Sequence, residues 1–243
     1  MLILLVDTAG SAGSVLLARS ESVSPELCET QVLGTGVLEP RQFSIQLISV
    51  VTELLQTNHL VLAEVDGFAV ISGPGSFTGL RVGLSAVKAM AEVMAKPVIA
   101  LSRLAVMAST ASQSGAQSHA ALVHAVIDAG RGEFYHGMYR DAGGTCVAES
   151  LQTHSTLTRS FEQLPGLVVA WEQDVLNTLA DFAPRQILPP TVSEALPLAL
   201  AAWGARRFSD AATLDANYLR RLDVENGPKP IRPDPPPPHA SGV

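Results

Sequence analysis

Apolar residues run unbroken from Leu2 to Val6 and stop at Asp7. Similar Leu- and Val-rich runs occupy residues 13–19 and about 27–35, with Gly, Ser and Pro between them. Short apolar runs with that punctuation predict three consecutive strands joined as an antiparallel meander. The period then changes. Between Glu39 and Thr57, residues Phe43, Leu47, Val50, Val51 and Leu54 recur at helical intervals, and Asn58 stands where a C-cap belongs. Residues 66–71 predict a buried strand, 77–95 a second helix and 97–100 a short strand after a proline break. The order is β-β-β-α-β-α-β.

The theme repeats. A helix near Ser102–Ala111 and a small polar loop, SQSGAQSH, lead to a strand over 121–128. Residues 132–140 answer that strand across a tight Ala-Gly-Arg turn, as in a hairpin. Residues 147–152, 167–171 and 186–188 predict further strands, and 194–207 an alanine-rich helix. After Asn226 the composition collapses: seven of the 16 prolines lie between Pro228 and Pro238, so that tail is expected to be disordered or polyproline-like. The expected division is 1–106, 107–225 and a tail over 226–243.

With 243 residues, 47% of them hydrophobic, the chain has material for a substantial core. Sixteen basic residues against 23 acidic ones give a net charge of −7, so no global positive field draws it onto a phosphate backbone. Any nucleic acid is expected to be held through a partner. Cys28 and Cys146 form no CxxC pattern and have no histidine at ligand spacing, which fits a reducing, cytoplasmic setting. The opening MLILLV lacks a basic region before it and meets Asp7 too early for a signal peptide. The apolar stretch around Leu80–Met94 is broken by Arg81, Lys88 and Glu92, short of the roughly 20 residues of a spanning helix, and no membrane association is expected.

Two motifs invite chemistry. In VDTAGSAGSVLLA, a strand ends in Asp7 and a small-residue turn leads to a second strand, which is how actin-like and sugar-kinase-like ATPases wrap nucleotide phosphates with main-chain amides. Asp7, Thr8 and Ser11 are thereby candidates for a nucleotide; otherwise Asp7 and Thr8 simply accept turn amides. In ISGPGSFTGLRVG, glycines precede a helix, yet no lysine stands where a P-loop needs one. A sharp strand-to-helix turn capped by Ser76 or Thr78 is the better reading. Arg131-Gly132-Glu133 reads as a solvated hairpin tip. The histidines, at 59, 119, 124, 136, 154 and 239, make no metal-binding pattern, and no serine-hydrolase elbow occurs.

The helix after GPGSFTG carries a surplus. Arg81, Ser85, Lys88 and Glu92 form a polar stripe about 60° wide. Leu80, Leu84, Val87, Ala91 and Met94 make one apolar face; Val82, Ala86, Ala89 and Val93 make another. A helix on a sheet needs roughly 100° of apolar surface. The second face is therefore buried inside one large domain or meets another protein, with Gly79 and Gly83 permitting close helix approach.

LLVDTAGSAGSVLLA, ISGPGSFTGLRVGLSAVKAMA, VIDAGRGEFYHGMY and LDANYLRR, in this order, resemble the TsaB (YeaZ) family over nearly all of residues 1–222. The resemblance implies an α/β, actin-like (ASKHA, ribonuclease H-like) fold of two related subdomains, each a mixed sheet flanked by helices. It implies a glycoprotease-like protein with no catalytic residues, cofactor or metal of its own, serving as the dimerisation subunit of the machinery that makes threonylcarbamoyladenosine in tRNA. The paralogue TsaD would carry the metal and modify N6 of the adenosine 3′ of the anticodon in tRNAs reading A-starting codons. The ATPase TsaE would dock on the pair, tRNA would be reached through the complex, and the chain alone would form a homodimer. Pairing helices at Phe43–Thr57 and Thr78–Ala95 place Phe43, Leu47, Val50, Val51, Leu54, Leu80, Val82, Ala86, Ala89 and Val93 at the interface. Family members often have a histidine where RQFS has Phe43; that excludes a metal or proton-transfer role there and favours a contact. The alternatives are an actin-like ATPase or small-molecule kinase using Asp7 and, less supported, a protease.

Overall fold

The computed structural model describes residues 1–24, 27–113, 122–140, 145–217 and 219. Its first sheet contains β1 (Leu2–Asp7), β2 (Gly13–Ser24), β3 (Leu27–Leu38), β4 (Gly67–Gly73) and β5 (Val98–Ser102), in the order β3-β2-β1-β4-β5. The expected meander is present: β1 pairs antiparallel with β2, and β2 with β3. Parallel β4 and β5 extend it on the other side. All six residues of β1 are buried. Side chains alternate across a strand, so both faces of this sheet must be covered.

Helices α1 (Phe43–Thr57) and α2 (Phe77–Met94) pack on each other and on the sheet, α1 over β2 and β3, α2 over β4 and β1. The α3 helix (Arg103–Gln113) leads out of β5 toward the second sheet. That sheet holds β6 (Val123–Gly130), β7 (Glu133–Arg140), β8 (Thr145–Thr153), β9 (Leu167–Ala170) and β10 (Arg185–Gln186), in the order β8-β7-β6-β9-β10. Again two antiparallel pairings on one side of the leading strand are matched by parallel ones on the other. The α/β class and the repeated architecture are as expected.

Several elements depart from the expectations. Helices α4 (His154–Gln163) and α5 (Gln173–Thr178) had no counterpart in the sequence reading. Each buries only two side chains, Leu157 with Phe161 and Val175 with Leu176, too few to establish a period. The last helix, α6 (Val192–Gly204), begins earlier than expected because Thr191 and Glu194 form a capping box, Thr191 N–H donating to Glu194 Oε2 at 2.7 Å. It belongs to the core of the first sheet through Val192, Ala195, Leu196, Ala199 and Ala202. The expected division at residue 106 falls within α3, which supplies Val106 to the first core and Leu104, Met107, Ala108 and Ala111 to the second. Beyond α6 the chain returns to the first sheet, where Ser209 N–H donates to the Val98 carbonyl at 2.8 Å and Asn217 N–H to that of Ser72 at 2.7 Å. The proline-rich tail, much of the SQSGAQSH loop and the end of LDANYLRR lie outside the described residues.

Candidate functional site: a helical groove opening into a cleft

The glycine-rich motif is a packing device. Gly73 has φ +121° and precedes a cis proline, and Ser76 caps α2 by accepting from Gly79 N–H at 3.3 Å. Along one side of the helix start, Gly75, Gly79 and Gly83 face the β1–β2 turn. A Cβ on Gly79 would stand 2.1 Å from the Thr8 carbonyl oxygen, and one on Gly83 2.3 Å from Thr8 Oγ1. Thr8 Oγ1 donates to the Gly79 carbonyl at 2.7 Å across this contact. The close approach anticipated for these glycines is therefore made by the protein's own turn and not by a partner helix. Asp7 is 5% exposed, with Oδ1 accepting from Ala9 N–H at 2.7 Å. Burial raises the pKa of its carboxyl, partly opposed by the nearby Arg103 charge and the Ala9 hydrogen bond. Asp7 and Thr8 are thus committed to the turn, whereas Ser11 is exposed.

Between the two sheets opens a cleft of about 1150 Å³. One wall is the β1–β2 turn at Ala9, Gly10 and Ser11, with the start of α2 at Gly75, Ser76 and Thr78. The other is the β6 end at Asp128 and Ala129, with Trp171 and Glu172. Arg103, the first residue of α3, lies between them, its guanidinium 4.9 Å from the Trp171 ring centre. Glu172 accepts from Asp128 N–H at 3.1 Å, and burial is the main cause that raises its carboxyl pKa.

From this cleft a shallow groove runs over α1 and α2, lined by Ser44, Leu47, Ile48, Phe77, Arg81, Val82 and Ala86. Here the sequence expectation divides. Phe43, Leu47, Val51 and Leu80 are core residues facing their own sheet, not an outward surface. Phe43 in particular packs against Gly79. Val50 and Leu54 are half-buried over Gly36 and Gly34 of β3. Val82 and Ala86 are half-buried beside the groove, while Ala89 and Val93 face outward. The most exposed apolar side chains of these helices are Val93 at 76%, Ile45 at 75% and Ile48 at 54%. Neither isoleucine was singled out from sequence, because the residues that show the helical period are those that point inward. Arg81 lies over the Phe77 ring, 3.8 Å from its centre.

The second sheet holds a pair the sequence hid. His124 and His136 stack inside it, His124 Nδ1 standing 2.9 Å from His136 Nε2 and His124 Nε2 2.8 Å from the Leu164 carbonyl. A carbonyl only accepts, so Nε2 of His124 carries the proton and His136 Nε2–H donates to the bare Nδ1. Burial, with the neighbouring His124, lowers the pKa of His136 to about 3. Twelve residues apart on antiparallel strands, the two make no linear motif. Tyr139 donates to Glu149, which also accepts from Asn217 and so links β7, β8 and the returning chain. Arg131 and Gly132, with φ of 61° and 73°, form the two-residue turn of the β6–β7 hairpin, and both are exposed. Cys146 is free and exposed; the side chain of Cys28 lies outside the described residues. Among the described residues no three His, Cys, Asp or Glu side chains are grouped to hold a metal ion, and no helix is long and apolar enough to cross a membrane.

Comparison with known proteins places this geometry. A family model described as TsaD, tRNA N6-adenosine threonylcarbamoyltransferase, matches residues 37–166, more than half of the chain. The tRNA threonylcarbamoyladenosine biosynthesis protein TsaB of Escherichia coli (strain K12) is 28% identical over 239 residues, 93% of this chain and 95% of that protein. The TsaB protein of Haemophilus influenzae is 35% identical over 118 residues, 46% of this chain and 49% of its own. A solved Pseudomonas aeruginosa structure, of a protein with similarity to peptidase YEAZ, superposes with a TM-score of 0.68 at 26% identity, covering 90% of this chain and 99% of that one.

Proposed function

The chain belongs to the family described as TsaD, tRNA N6-adenosine threonylcarbamoyltransferase, and from that premise we propose that it acts in making threonylcarbamoyladenosine in tRNA as a TsaB-type, non-catalytic subunit. Over nearly its full length it is similar to TsaB of Escherichia coli, a tRNA threonylcarbamoyladenosine biosynthesis protein. The observation that carries the scaffold reading is the outward apolar surface of α1 and α2, where Ile45, Ile48 and Val93 lie exposed around a groove containing Val82 and Ala86. Exposed apolar clusters of this kind mark protein–protein contacts. The partner is the TsaD-type paralogue, which brings the acceptor adenosine of tRNA to its own active site; the TsaE ATPase docks on the pair, and the chain pairs with itself when the paralogue is absent. Such work places it in the cytoplasm. The ATPase alternative draws no support from Asp7, a buried carboxyl already engaged by its own turn.

Co-expression with the TsaD-type paralogue, followed by size-exclusion chromatography, tests this. The wild type is expected to co-elute, and Ile48→Glu and Val93→Glu to lose the partner while keeping the wild-type circular dichroism. A wild type that elutes alone, or variants that co-elute as well as it does, overturns the proposal.

A further inference from the structure

Arg103 is a charge without a counter-charge. It is 8% exposed, its Nε is buried with no hydrogen-bond partner, and among the described residues no carboxylate stands within ion-pair distance of it. A guanidinium does not discharge by losing its proton. Leaving it buried and unpaired is costly, and proteins meet that cost with a carboxylate or an anionic ligand. Asp7 and Glu172 feel its charge across the cleft, yet neither stands within ion-pair distance of it. Trp171 covers one face of the group. On another side lies Gly10, where a Cβ would stand 2.9 Å from Arg103 Nη2, so the turn leaves room for the fork to lie against its backbone.

We infer that the cleft binds a small molecule through an oxyanion group, carboxylate or phosphate, seated on Arg103. The cleft's 1150 Å³ suits a small-molecule ligand and far exceeds a single ion. The wall beside Arg103 offers the hydroxyls of Ser11, Ser76 and Thr78 and the positive end of the 18-residue helix α2. The opposite wall presents Asp128 and Glu172, whose carboxyl oxygens can accept hydrogen bonds from the rest of the molecule. Planar two-pronged recognition by guanidinium serves carboxylate and phosphate alike. This inference does not rest on the scaffold reading, since the site is complete within one chain.

Isothermal titration of the full-length protein with inorganic phosphate and with malonate, at constant ionic strength held with chloride, is the test. Saturable binding of at least one anion is expected, the tighter of the two identifying the group. Arg103→Gln should weaken it about tenfold or more, Arg103→Lys less, and Arg131→Gln at the exposed β6–β7 turn not at all. If Arg103→Gln fails to fold, Ser11→Asp carries the test: that residue is exposed, and its carboxylate would occupy the fork and abolish binding. Absence of saturable binding to the wild type, or binding undiminished in the folded variants, overturns the inference.

Discussion

The two sheets share one strand order, yet they treat the same hairpin and the same helices differently. In the first, the β1–β2 turn is pressed against α2, and Gly79 and Gly83 leave no space for a side chain. In the second, the β6–β7 turn projects free, and a Cβ on Gly130 or Gly132 would meet nothing within 4 Å. The helices diverge with the hairpins. Between the strands of the first sheet run α1 and α2, of 15 and 18 residues, with apolar side chains to spare on the outside. Between those of the second run α4 and α5, of 10 and 6. A shared topology therefore says little about where a protein makes contacts. What distinguishes the halves is which turn is locked down and which helices carry apolar residues beyond those their own sheet can cover.

The locked turn gives the largest test. Gly79→Val would drive a side chain into the Thr8 backbone, and a loss of about 3 kcal/mol or more is expected in urea denaturation. Gly132→Ala, its counterpart in the free turn, meets only the strain of a left-handed residue, about 1–2 kcal/mol. Equal losses would erase the distinction between the hairpins.

Next in size is a pH effect from the second sheet, where the buried histidines of the described residues lie. His136 titrates near 3 when folded, against about 6.5 when unfolded. The unfolded state thus takes up the proton first. Stability is complete above about pH 6.5 and falls as the pH drops toward about 3, by up to ~1.4 kcal/mol per pH unit for this group. His136→Phe should flatten that slope between pH 7 and pH 5. It should also cost about 1–3 kcal/mol at neutral pH, by leaving Nδ1 of His124 without its donor. A difference in stability between wild type and variant that is level over this interval would show the pair to be charged or exposed; the raised carboxyls of Asp7 and Glu172 cancel from it.

The smallest expected effect on stability lies at the outward face of the first half. Ile45→Glu and Val93→Glu should shift the unfolding free energy by no more than about 0.5 kcal/mol at concentrations too dilute for self-pairing, because neither side chain is covered within one chain. Leu84→Glu, on the buried side of α2, should prevent folding. A large loss in the exposed pair would mean that a second copy already covers that face in solution.

Much of this was legible along the chain. Unbroken apolar runs marked the strands, the return of the same order after residue 121 marked the second sheet, and Gly-Pro-Gly-Ser marked a capped strand-to-helix turn because so few backbone paths admit those residues. Periodicity also located α1 and α2, but Phe43, Leu47, Val51 and Leu80 show why it misdirected the search for a surface. The residues that repeat at 3.6 are those a helix buries; an exposed apolar side chain, such as Ile45 or Val93, is what the pattern leaves over.

The amino-acid order by itself determined most strands, the two long helices of the first half, the repeated order of elements and the glycines a close turn requires, since each depends on neighbours a few residues away. Only the tertiary structure decided which helix face remained outside, that α6 joins the first core, that His136 donates to His124, and that Arg103 sits unpaired in a cleft. Those facts follow from distances between residues far apart in the chain, and burial and charge pairing are settled by such distances alone.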